Sequence, residues 1–283
     1  MKAESPISGS EPILCAHLLR VVDQRLIELL KSLRTDEWDL QTVAPQWRVR
    51  DVAAHLLDTV LRKLSLVRDS WFVEKANPQS AEEVIQLVNR LNREGVTVYR
   101  CLSPAVLIDL MALGCEQSAK FHESLDPFVR SVFNVSWAGE EVSLNWFDTA
   151  RELTERWHHQ QQIRLATGRS GIMTRELYYP VLDCFARGLP YAYRHTQAPV
   201  GTKVVLQVEG ESGGRWVLEK GSDRWAFASD TPAEIACRVT LPPEIAWRIF
   251  TKGIAREVAR PQIEIDGNKV LADGILGLTA IVG

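Results

Sequence analysis

The chain has 283 residues, 46% apolar and 24% charged, which is the make-up of a soluble globular protein long enough for two domains. A net charge of −3 leaves no domain-wide basic excess, so a nucleic-acid partner is not expected. No apolar run reaches the roughly 18 residues of a membrane span; AVLIDLMALG comes nearest, and Asp109 interrupts it.

The first residues, MKAESPISGSEP, lack the apolar core of a secretory signal. From about Pro12 to Leu33, Leu14, Leu18, Val21, Val22, Leu26 and Leu29 recur at helical spacing. A turn region, RTDEWDLQTVAPQW, follows. The next helix is expected from about Val49 to Arg68, with Val49, Val52, Ala53, Leu56, Leu57, Val60 and Leu64 on one stripe. In NPQSAEEV, Ser80 reads as an N-cap with Glu83 three residues on, opening a helix towards Cys101. In SPAVLIDL, Ser103 caps and Pro104 takes the first helical position of a helix ending near LDPF. The loop SVFNVSWAGEEVS has the Val and Trp content of a short irregular strand. Further helices are expected over about Asn145 to Thr167, stopping at Gly168, and over about Arg175 to His195.

After the linker TQAPVGT the texture changes. KVVLQVEG, GRWVLEKG and RWAFAS read as an antiparallel meander, ACRVTL as a fourth strand and PQIEID as a fifth. PPEIAWRIFTKG has the marks of a short helix, and NKVLADGILGLTAIVG closes the chain as another. Five separated cysteines (Cys15, Cys101, Cys115, Cys184 and Cys237) form no CxxC pair, so free thiols in a reducing cytoplasm are expected.

The stretch ELTERWHHQQQIR carries the chemistry. Glu155 and His159 are four residues apart and share a helix face, so both can reach one cation, while His158 points about a quarter-turn away. A third ligand must come from elsewhere; His17, His55, His122 and His195 are the candidates. Such a pair is also common on solvated helices. Trp146, Ala150, Leu153 and Trp157 make an apolar stripe, with Asp148, Glu152, Glu155 and His159 roughly opposite. That is the pattern of a surface helix, but a metal-lined bundle interior needs a polar face too. Periodicity does not separate the two.

WRVRDVAAHLLD resembles the early histidine motif of DinB-like metal-binding four-helix bundles, in particular the N-terminal domain of mycothiol-dependent maleylpyruvate isomerases. VSWAGEEVSLNWFDTARELTERWHHQQQIRLATGR resembles the same family's later motif, a Trp-Ala-Gly loop followed by a helix bearing E-x-W-x-H. PQIEIDGNKVLADGILGLTAIVG is similar to the last strand and helix of a sterol-carrier-protein-like domain. The resemblance implies a DinB-like four-helix bundle followed by a small antiparallel-sheet α+β domain. It divides the chain into a metal-binding bundle over 1–170, a connecting helix and linker over 171–198, and the second domain over 199–283.

The resemblance further implies that His55, Glu155 and His159 bind a divalent ion, zinc, with His158 in a non-ligand position. A low-molecular-weight thiol, mycothiol or an equivalent, would be activated there to isomerise or S-conjugate a small electrophile. A metal-dependent hydrolase and a non-catalytic binding protein are the alternatives. Arg248 and Arg256, in or just after a short helix, are candidates to meet an acidic substrate, with surface solubility as their ordinary reading. Trp47 and Trp137, beside the two motifs, read as structural plugs. The family often has an aspartate three residues after its second ligand histidine, and this chain has Gln162. The expected protein is cytoplasmic, a monomer or homodimer.

Overall fold

Helical periodicity in the first two-thirds of the chain becomes packed α-helices in a computed structural model that describes residues 11–72, 80–228 and 234–281. α1 (Ala16–Lys31) buries Leu18, Leu19, Val22, Leu26 and Leu29. α2 (Val49–Lys63) buries Val49, Val52, Ala53, Leu56, Leu57 and Val60, and runs on into a π-type turn, Leu64–Arg68. α3 (Ala81–Tyr99) opens on Ser80, whose hydroxyl accepts the Glu83 N–H at 3.2 Å. α4 (Pro104–Ser124) opens on Ser103 with Pro104 in the first turn. The loop after it forms a 3-10 turn, Ser136–Ala138, and one bridge between Arg130 and Leu144 instead of a strand. α5 (Asn145–Thr167) stops at Gly168, whose φ of +66° is left-handed and ends the ladder. α1 and α2 each pack against both α4 and α5, and α3 lies against α2.

The single helix expected over Arg175 to His195 is two. α6 (Arg175–Ala186) and α7 (Leu189–Ala192) are separated at Arg187 and Gly188. The break falls just before Pro190, which has no N–H to offer the Ala186 carbonyl.

The rest of the chain forms β1 (Lys203–Val208), β2 (Gly214–Lys220), β3 (Trp225–Phe227), β4 (Cys237–Leu241), α8 (Pro243–Phe250), α9 (Arg256–Ala259), β5 (Glu264–Gly267) and α10 (Lys269–Leu276). The sheet order is β3-β2-β1-β4-β5. β1 to β3 form the expected meander, and β5 is antiparallel to β4. β4, however, runs parallel to β1, with Val204 opposite Cys237, so the sheet is mixed where an antiparallel one was expected. Alternation within ACRVTL encodes which face is buried, not the direction of the neighbour. β1 is buried on both faces, which suits a central strand.

One apolar cluster runs from Leu18, Leu19 and Val22 of α1 through Leu153 and Trp157 of α5 and Phe185 of α6 to Leu206, Trp216 and Val239 of the sheet. α8 and α10 add Trp247, Phe250 and Ile275 to it. Among the described residues, no helix is long and apolar enough to cross a membrane.

Candidate metal centre

α5 has two faces, and both are buried. Phe147, Ala150, Leu153 and Trp157 face the apolar cluster, where Trp157 stacks flat on Tyr178 with ring centres 4.4 Å apart. The polar face is turned inward as well, so the solvated-helix reading of the wheel does not hold. Lys63 of α2 bridges Asp148 at 2.8 Å and Glu152 at 3.1 Å. Arg151 joins the same carboxylates at 2.6 and 2.9 Å. One turn on, the buried Arg156 pairs with Asp23 of α1 and donates to the Ser118 hydroxyl of α4 at 2.6 Å. A buried charge is tolerable only when paired, and these carboxylates and cations pair with one another.

At the next turn of this polar face stand Glu155 and His159. α2 delivers His55 to them: Asp51 accepts the Arg48 N–H at 2.9 Å, starts the helix, and puts His55 one turn later. One ligand atom from each of His55, Glu155 and His159 lies within 4.8 Å of the others. The two imidazole rings are edge to face, with centres 4.6 Å apart, and His159 Nε2 is 3.4 Å from Glu155 Oε2. Both histidines are buried and the glutamate is half-buried, so the cluster is reached from one side. His55 Nδ1 is buried and has no hydrogen-bond partner among the described residues. Two imidazoles and a carboxylate, with a ring nitrogen of one imidazole unpartnered, fit a zinc-type donor set that keeps a position open.

Burial pushes the His55 pKa well below the ordinary imidazole value, and the neighbouring His159 adds to that. Burial acts on Glu155 in the opposite direction, but the adjacent His159 and the other histidines around it outweigh it, and its carboxyl is held well below the usual range. A neutral imidazole beside an ionised carboxylate is the protonation state that ligates a cation. His158 is spent elsewhere, its Nδ1 2.8 Å from the Thr154 carbonyl, although its ring lies 3.9 Å from that of His159.

Two side chains outside the triad stand against the cluster. Trp47, expected to be a structural plug, has its ring 4.6 Å from that of His55 and 5.7 Å from that of His159. Its loop is tied down: the Thr42 hydroxyl donates to the Trp47 carbonyl at 2.7 Å, and the Trp47 N–H donates to Ala44 at 3.0 Å. Gln162 Oε1 is 2.9 Å from His159 Nδ1. Its i+3 spacing from His159 was the available signal.

The two arginines are not part of the triad. Arg256 is exposed and lines a cavity of about 510 Å³ together with Val43, Pro45, Ile249, Lys252 and Leu276. Val43 and Pro45 belong to the loop that carries Trp47. Arg248 does not line this cavity; its Nε donates to the Gly253 carbonyl at 3.4 Å. The Trp-Ala-Gly turn supports α7. Gly139 has a φ of +81°, and a Cβ there would sit 2.4 Å from Tyr191 Cδ2.

Fold and site together define a class: a helical part with a partly buried His–Glu–His cluster, followed by a small mixed-sheet part. The family model for the mycothiol maleylpyruvate isomerase N-terminal domain matches residues 19–164 of the 283, more than half of the chain, and the chain belongs to that family. The chain is also similar to two crystal structures. A histidine-to-alanine mutant of the mycothiol-dependent maleylpyruvate isomerase superposes with a TM-score of 0.55 at 11% identity, over 89% of this chain and 91% of the other. The unmutated isomerase gives 0.51 at 13% identity, over 83% and 86%. At these identities the likeness is one of fold. No curated protein matches the chain.

Proposed function

We propose that the chain is a metal-dependent enzyme that uses a low-molecular-weight thiol to isomerise or S-conjugate a small, acidic, electrophilic substrate. The convergence of His55, Glu155 and His159, with their ligand atoms within 4.8 Å of one another, carries the reading. In this reading the three side chains hold a divalent ion, zinc by the chemistry of the donor set. When bound, such an ion supplies Lewis acidity, converting a coordinated thiol, of ordinary pKa about 8.5, into the thiolate.

The chain's own residues do the rest. Glu155 is ionised and offers the one anionic ligand. Trp47 covers the two rings and limits access of water from its side. Arg256 is the cation set to meet the substrate's acid, at the edge of a cavity that shares a loop with Trp47. Arg248, tied to Gly253, plays that part only if it exchanges this contact for the substrate. The substrate chemistry balances without a further reactant. A thiolate adds to one end of a conjugated double bond, the resulting single bond rotates, and loss of the same thiolate restores the double bond as the other isomer. If the thiol is retained, the carbon beside the carbonyl takes up the proton that the thiol lost, and the product is a thioether.

Family membership supports the thiol, because the related structures are described as mycothiol-dependent isomerases. The test is turnover of a cis-configured unsaturated keto acid by zinc-reconstituted protein, with mycothiol, with glutathione and with no thiol. Thiol-dependent loss of the cis isomer is the expected result. Turnover that ignores thiol would assign a hydrolase, and no turnover with any thiol would overturn the enzyme reading.

A further inference from the structure

We infer that Gln162 is a positioning residue that sets which nitrogen of His159 faces the ligand cluster. The inference rests on the metal reading for its consequence but on this chain's own geometry for its substance. Gln162 is 4% exposed, and its Oε1 lies 2.9 Å from His159 Nδ1. An amide oxygen only accepts, so this contact requires the ring hydrogen on Nδ1. The lone pair of the neutral ring is then on Nε2, the atom 3.4 Å from Glu155 Oε2. Two lone-pair donors thus face each other across a gap that a cation would fill.

Without Gln162 the preference reverses. Glu155 would draw the ring hydrogen to Nε2, and Nε2–H donating to the carboxylate would close the gap with a hydrogen bond. Gln162 and Glu155 therefore compete for one hydrogen from opposite sides of the ring. The helix decides the contest by placing the amide at i+3 and the carboxylate at i−4, both on the face of α5 that carries His159. A neutral amide also leaves the imidazole a weaker donor than a carboxylate partner would. A bound cation would then keep more of its Lewis acidity.

The test combines a signature in the metal-free protein with an affinity. Nitrogen–proton spectra of the histidine side chains are recorded at about pH 9, well above the ordinary imidazole pKa of about 6.5. Wild type should show His159 protonated at Nδ1, and Gln162→Leu should show it at Nε2. Zinc affinity, measured by competition with a chromophoric chelator, should fall about 10- to 100-fold in Gln162→Leu, the usual range for losing the partner of a ligating histidine. Gln162→Glu, which keeps the acceptor, should retain wild-type affinity or better, and should also show that loss of the acceptor, not a misfolded helix, causes the deficit. An unchanged tautomer in Gln162→Leu, or unchanged zinc affinity, would overturn the inference. A tautomer that switches as expected in a protein that binds no zinc would sink the metal reading and leave the orienting role standing.

Discussion

The Trp47 indole lies 4.6 Å from the His55 ring and 5.7 Å from the His159 ring, so one side chain from the loop before α2 covers imidazoles delivered by two different helices. Rings held by packing lose little freedom when they take a cation. Trp47→Ala should therefore weaken zinc binding roughly tenfold, with a far-ultraviolet circular dichroism spectrum like that of wild type. Chelator competition reads the effect. Equal affinity in the two proteins would mean that Trp47 is only a plug.

Arg156 and Asp23 join α5 to α1 in a site from which water is excluded. Removing one member of a buried pair leaves an uncompensated charge, which costs about 3–5 kcal/mol. Arg156→Leu should lower stability by that order, while Arg156→Leu combined with Asp23→Leu should recover much of the loss. Urea unfolding of the two single variants and the double variant checks this, and additive losses would contradict it.

His122 makes stability depend on acidity. Its Nδ1 is 3.1 Å from the Thr149 hydroxyl, and burial, above all, lowers its pKa to about 3. An unfolded histidine titrates near 6.5. Between those values the unfolded chain binds more protons than the native one, so this contribution is fully present above about pH 6.5 and is lost as pH falls towards 3. One such group gives a slope of at most about 1.4 kcal/mol per pH unit. His122→Gln should flatten the fall in unfolding free energy between neutral pH and about pH 5. Parallel curves for variant and wild type would contradict the assignment.

Gly139 answers two demands at once, a left-handed φ of +81° and a side-chain-free approach to Tyr191. Gly139→Ala should cost about 1–3 kcal/mol in backbone strain, with a further loss from displacing Tyr191. A melting temperature within a degree of wild type would show that the turn relaxes freely.

The starts and stops of helices were largely legible because their causes are local. Ser80, Ser103 and Pro104 open helices, and Gly168 closes one, through contacts within a few residues. The Glu155/His159 pair was legible as sharing a face. Its burial was not, because an amphipathic wheel presumes one solvated side and α5 has none: its polar face meets Lys63, Asp23 and Ser118 from three other helices. His55 could be singled out from four histidines only by resemblance to a family motif. The contact of Trp47 with both rings was not legible for a related reason, since it depends on how the loop folds back. The direction of β4 was invisible because alternation is the same for parallel and antiparallel neighbours.

The central claim is that His55, Glu155 and His159 bind one cation together. Equilibrium zinc titration of metal-free wild type and of His55→Ala, by chelator competition, tests it most directly. The account predicts one zinc per chain in wild type and a large loss of affinity in the variant. Absence of stoichiometric zinc in wild type, or the same affinity without the His55 imidazole, would contradict it.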